Sequence, residues 1–324
     1  MAKRFIFILC FSFSLLSIAQ ITIKDSQTKS PVSYATVSFG NGNGIFADDA
    51  GVFIFNKKLY PDIDSLFISA LGYKNIDIAT KDLPQQLFLE PYANELDAVI
   101  IGIKRKFKTE KAKPYLDDDY YKCWLPTIES EIAVFFPNND DRLKRIASVK
   151  FPIALESRDW KKRKKSNSDK KSFSTLFKVN FYENENGKPG QALTFETIVF
   201  RATEKDGDFH ELNVSKHDIF IPKAGVFVSL QVLGYTDKFG KLLPNKKYKE
   251  VKGKSGIVKI PTNFRPLLPF TNEISENRTY IKRVFINENN WIQFKKGNDF
   301  SSSLLKNGLN NYGIGMNINI FKDE

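Results

Sequence analysis

Apolar side chains recur at every second position along most of this 324-residue sequence. Val226, Val228, Leu230 and Val232 share one side of an extended segment, as do Phe177, Val179 and Phe181. Near the end, Ile314, Met316, Ile318 and Ile320 repeat the rhythm while Asn317 and Asn319 face the other way. A period of two is the signature of a half-buried strand, because successive side chains leave opposite faces of the pleat. Turn-forming residues punctuate these runs at 184–190, 206–208 and 237–240. No stretch sustains a helical period, so the sequence predicts an all-β protein made of β-sandwiches.

Composition shifts once. Residues 104–113 are almost wholly charged and are followed by Pro114 and by Asp117, Asp118 and Asp119. This reads as an exposed linker over 102–127, between a domain at 20–101 and a second at 128–324. Ahead of both, Lys3 and Arg4 precede an apolar run beginning at Phe5, with Ser17 and Ala19 where a signal peptidase reads small residues. Residues 1–19 are therefore expected to be a signal peptide, with Gln20 as the mature N-terminus. The expected location is periplasm, outer-membrane surface or extracellular space, with no transmembrane helix after cleavage.

The full sequence carries a formal charge of +12, which falls to +10 without Lys3 and Arg4. In an exported chain, that excess points to acidic glycans or anionic surfaces rather than nucleic acid. The densest cluster is Lys161, Lys162, Arg163, Lys164 and Lys165, followed by Lys170 and Lys171, and it reads as a solvated loop. Cys10 leaves with the signal, so Cys123 has no intramolecular partner and the core must hold without a disulfide.

Residues 21–101 resemble the carboxypeptidase-D-like regulatory domain, a small transthyretin-like sandwich abundant in exported proteins of Bacteroidetes. The matching segments are Tyr34-Ala35-Thr36-Val37, Ala47-Asp48-Asp49-Ala50-Gly51-Val52-Phe53, Leu71-Gly72-Tyr73 and Leu96-Asp97-Ala98-Val99-Ile100-Ile101. The remainder is similar to a jelly-roll-like module that follows such domains in the same bacteria. Its marks include Phe177-Lys178-Val179-Asn180-Phe181-Tyr182 and the turn Gly187-Lys188-Pro189-Gly190. The first resemblance implies an accessory domain without catalytic residues. Similar domains also precede the plug of TonB-dependent receptors, although this chain is too short for such a barrel.

Catalytic motifs are incomplete throughout. A zinc peptidase needs His and Glu at fixed spacing, whereas His210 and His217 are each followed three residues later by Asn213 and Phe220. Asp48 and Asp49 are read as turn residues rather than calcium ligands. The glycines of 40–44 lack the following helix of a dinucleotide loop. Tyr248 stands where a phosphate loop ending in Gly253-Lys254-Ser255 needs its first glycine, and Ser255 sits in an incomplete nucleophile elbow. The rings of Trp291 and Phe294 are read as core on a late strand. No catalytic, cofactor-binding or metal residue is nominated and no cofactor is expected. The sequence thus points to a non-enzymatic envelope module that binds a glycan or protein partner. The alternatives are a glycosidase with carboxylates from distant strands and an accessory of TonB-dependent uptake.

Overall fold

The computed structural model describes residues 19–40, 42–92, 106–155, 173–243, 249–253, 256–260, 266–286, 290–298, 300 and 302–322, with backbone alone for 249–253 and 256–260. Residues 1–18 of the signal segment, the 96–101 match, the 161–171 basic cluster, Tyr248, Lys254 and Ser255 lie outside the described residues. The protein is all-β and forms two sandwiches. Among the described residues the single α-helix is α1 (Ser303–Lys306), and no helix is long and apolar enough to cross a membrane.

The first sandwich comprises β1 (Ala19–Asp25), β2 (Thr36–Gly40), β3 (Asn43–Phe46), β4 (Val52–Phe55), β5 (Ser65–Ser69), β6 (Ile76–Ala79) and β7 (Gln86–Leu89). A three-stranded sheet, β4-β1-β7, faces a four-stranded sheet, β3-β2-β5-β6. Alternate residues meet between them: Ile21 and Ile23, Phe53 and Phe55, Val37 and Phe39, Leu66 and Ile68. The turn before β4 is held by Asp48, whose Oδ1 accepts from the backbone of Ala50 at 3.0 Å and of Val52 at 2.8 Å. Gly51 takes φ +71°, and a Cβ there would lie 2.6 Å from the Ile23 carbonyl, so the turn needs glycine.

The second sandwich begins with β8 (Phe107–Ala112), β9 (Cys123–Trp124), β10 (Ser130–Phe136), β11 (Lys144–Pro152), β12 (Ser174–Glu185), β13 (Lys188–Ala192), β14 (Ile198–Thr203), β15 (Phe209–Asn213) and β16 (Val226–Tyr235). Along the chain follow β17 (Lys249–Gly253), β18 (Gly256–Ile260), β19 (Leu268–Thr271), β20 (Thr279–Arg283), β21 (Ile292–Gln293), β22 (Asn311–Tyr312) and β23 (Gly315–Phe321), of which β17-β18 and β22-β19-β9 form separate small sheets. The large sheet runs β13-β12-β16-β10-β20-β21, with β14 also beside β12, and it is backed by β15-β11-β23-β8. One face of the large sheet supplies Ile132 and Val134, Val228, Leu230 and Val232, and Phe177, Val179 and Phe181 to the core. Ile146, Val149, Phe151 and Met316 meet them from the opposite sheet.

The structure corrects the linker at both ends: Cys123–Trp124 pairs with β19, and the charged stretch is also structured. Phe107–Ala112 is not connector but an edge strand, antiparallel to β23 along its whole length. Its residues are exposed, which is how a strand can be rich in Lys and Glu. An edge strand needs only backbone pairing, and its charges discourage a further strand from adding on.

The two sandwiches are packed against each other. Phe46 of β3 leaves the first core for the second, its ring 5.0 Å from that of Phe285. Both Ser38 Oγ and the Gly42 N–H donate to the Phe285 carbonyl, at 2.9 and 3.2 Å. At Gly44 a Cβ would collide with the Phe285 ring. The glycines of the β2–β3 hairpin therefore admit a neighbouring backbone and ring.

Candidate binding site between the sandwiches

One face of the large sheet supplies the main core, and its other face carries the residues that alternate with these. Register places Lys178 of β12 opposite Gln231 of β16, Gln231 opposite Glu131 of β10, and Glu131 opposite Lys282 of β20. Two residues along, Asn180, Ser229, Ala133 and Tyr280 form a second row. Tyr182, Phe227 and Phe135 form a third. In an isolated sandwich this polar face would meet water. Here it is covered: Leu71 of the first sandwich, Phe195 and Trp291 pack on a cluster containing Ala133, Tyr182, Phe227 and Tyr280.

Glu131 is the electrostatic centre and is only 2% exposed. Its Oε1 accepts hydrogen bonds from Asn180 Nδ2 at 2.8 Å, the Tyr182 hydroxyl at 2.8 Å and Ser229 Oγ at 2.7 Å. Its Oε2 pairs with Lys282 Nζ at 3.0 Å. Burial alone would raise the carboxyl, but Lys282 and the three donors outweigh it and hold the group at about 2. For Tyr182, burial and then the Glu131 charge push the hydroxyl well above its usual range. Lys282 also sits over the Trp291 ring, 4.7 Å from its centroid, adding a cation–π contact.

Lys178 differs from the rest of the row. It is 9% exposed, and its ammonium has no hydrogen bond or ion pair among the described residues. Burial depresses its amine to about 8, Glu131 opposes the shift, and Lys282 adds to it. With Asn180 it lines a cavity of about 120 Å³ whose other walls include Tyr34, Leu71 and Tyr73 of the first sandwich, and Phe195. Gly72, at φ +83°, turns the chain so that Leu71 and Tyr73 reach this seam; a Cβ there would lie 3.1 Å from the Phe195 ring. The Tyr73 hydroxyl donates to Asp25 Oδ2 at 3.0 Å. Burial and that carboxylate push the hydroxyl to about 12.

The residues weighed in the sequence are elsewhere or differently engaged. His210 Nδ1 pairs with Asp206 at 2.6 Å and stacks on Phe200, whereas His217 Nδ1 pairs with Glu196. Among the described residues no group of three or more His, Cys, Asp or Glu is placed to hold a metal. Asp48 and Gly51 serve the turn before β4. Cys123 is buried, and desolvation raises its thiol far above the usual range. Phe294 is core as read, but Trp291 lies half-buried over the polar face, edge-on to Tyr182 at 5.7 Å. The polar row was missed because alternating polar residues read as solvent-facing. The available signal was that four neighbouring strands carry them in register.

No protein-family model matches the chain, and no curated protein matches it. Among solved structures, it is similar to the cysteine protease and lectin-like domains of a surface-layer-associated protein of Clostridium difficile, at 10% identity and a TM-score of 0.34. That match takes in 90% of this chain, which spans 59% of the other.

Proposed function

We propose that this chain is an exported, non-catalytic envelope protein in which two sandwiches together form a binding module for an acidic glycan. The first sandwich, read as a carboxypeptidase-D-like regulatory domain, acts as the accessory wall of the site. The supporting observation is the covered polar row. Glu131 spends both oxygens on four partners, which suits a fixed scaffold and leaves it no proton to exchange near neutral pH. A general acid or base needs the opposite, a carboxyl tuned towards working pH. The basic excess of the chain supplies long-range attraction to the ligand.

Retention of the purified protein on polygalacturonate and on neutral dextran tests this reading, with release of reducing sugar followed in the same samples. Saturable retention on polygalacturonate alone is expected, weakening as salt screens charges beyond about 8 Å, with no sugar released. Released sugar would replace the module with a glycosidase. Equal retention on both polymers would remove the acidic ligand.

A further inference from the structure

The chemical class of the group held at the seam can be read from its charges, and this step rests on the binding-module reading. The row Lys178, Gln231, Glu131, Lys282 contains two ammonium groups and one carboxylate. Glu131 gives Oε2 to Lys282 at 3.0 Å and fills Oε1 with three neutral donors. Among the described residues Lys178 is thus the ammonium of the row without an ion pair, nine-tenths buried and lining the cavity. A buried cation is stable only with a counter-charge and hydrogen-bond acceptors around it.

The walls limit what that counter-charge can be. The cavity of about 120 Å³ is close to the ~150 Å³ that admits a benzene ring, so it encloses the charged end of a ligand and only a few atoms beyond it. Leu71 and Phe195 give it apolar sides, and Asn180, one of whose two Nδ2 hydrogens goes to Glu131, stands beside Lys178 in its wall. A doubly charged phosphate would meet one free ammonium with Glu131 behind it. A singly charged group suits the balance better. We propose that the seam binds a carboxylate through Lys178, with the carbons of the same ligand against Leu71 and Phe195. The carboxylate could come from an aliphatic acid or from a uronic acid, which share this headgroup.

Calorimetric titration of the full chain at pH 7 and fixed ionic strength separates the two sources. The probes are sodium butyrate with butyramide as its neutral counterpart, and sodium glucuronate with glucose as its neutral counterpart. At least one acid is expected to bind tenfold or more tightly than its counterpart, and Lys178→Met should erase that preference. Lys150→Met, on the opposite sheet, should keep it. Circular dichroism checks that the variants fold; if Lys178→Met does not, a rise in wild-type melting temperature with the acid but not its counterpart carries the same information. Equal affinity for acids and counterparts, or an acid preference that survives Lys178→Met, overturns the site. If polygalacturonate retention persists while no small acid binds, the carboxylate site falls and the module stands; loss of both removes both.

Discussion

Replacing Glu131 by alanine is expected to cost roughly 3–5 kcal/mol of folding stability, the usual result of removing one member of a buried ion pair. Three donors, on Asn180, Tyr182 and Ser229, lose their acceptor at once, and Lys282 keeps a charge at 15% side-chain exposure. For a unit of this size the apparent melting temperature should fall by roughly 10 °C. The sign of the pH dependence follows from the depressed folded-state value, about 2 against an ordinary 4.5. The stabilisation is fully present above pH 4.5 and is lost as pH falls through about 2. The gap between wild type and Glu131→Ala, measured by thermal melts across that range, should therefore narrow with acid. A constant gap would mean that Glu131 acts by packing and not by charge.

Lys178→Met should have the opposite effect. The amine falls from an ordinary 10.5 to about 8 in the folded protein, a penalty on the order of 3 kcal/mol at neutral pH. Methionine fills similar volume without a charge to desolvate, so the variant should be more stable than wild type. Below pH 8 both folded and unfolded wild type hold the proton and the penalty is complete. Between pH 8 and 10.5 the folded protein sheds it first, so wild type gains stability relative to the variant and the gap closes. Thermal melts of the pair at pH 7 and pH 10 check both sign and window. A less stable variant at pH 7 would show that Lys178 has a structural partner.

Much of the fold was legible because burial on one side of a sheet imprints a period of two. β12, β16 and β23 follow the alternation of Phe177, Val228 and Met316 with their neighbours, and the turn at Asp48 and Gly51 follows from side-chain capping and positive φ. Strand β8 was hidden because an exposed edge strand buries no side chains and leaves no apolar rhythm. The site was hidden for a different reason. Glu131, Lys178 and Lys282 carry the pattern of a solvated face, and the packing of Leu71 and Tyr73 from the first sandwich, with Phe195 and Trp291, turns that face into an interior. Nor does local sequence distinguish glycines that only shape a turn from Gly44, which admits the Phe285 ring, or Gly42, which also admits Arg283. Such contacts depend on how two sandwiches meet, and neither sandwich encodes that alone.

The most direct test of a ligand site at the seam is the titration of the Lys178 side chain followed by NMR of labelled lysine, assigned by the signal missing in Lys178→Met. Glu131 and Lys282 face the amine from the large sheet, with Tyr34 and Tyr73 across the cavity. Of these, Glu131 titrates far below the window and Tyr73 far above it, at about 12. In the free protein the expected midpoint is about 8, and saturation with the acid that binds should move it upwards, because a carboxylate beside the amine favours its charged form. A midpoint at the ordinary 10.5, unchanged by either acid, would show that Lys178 is solvated and that the seam holds no such ligand.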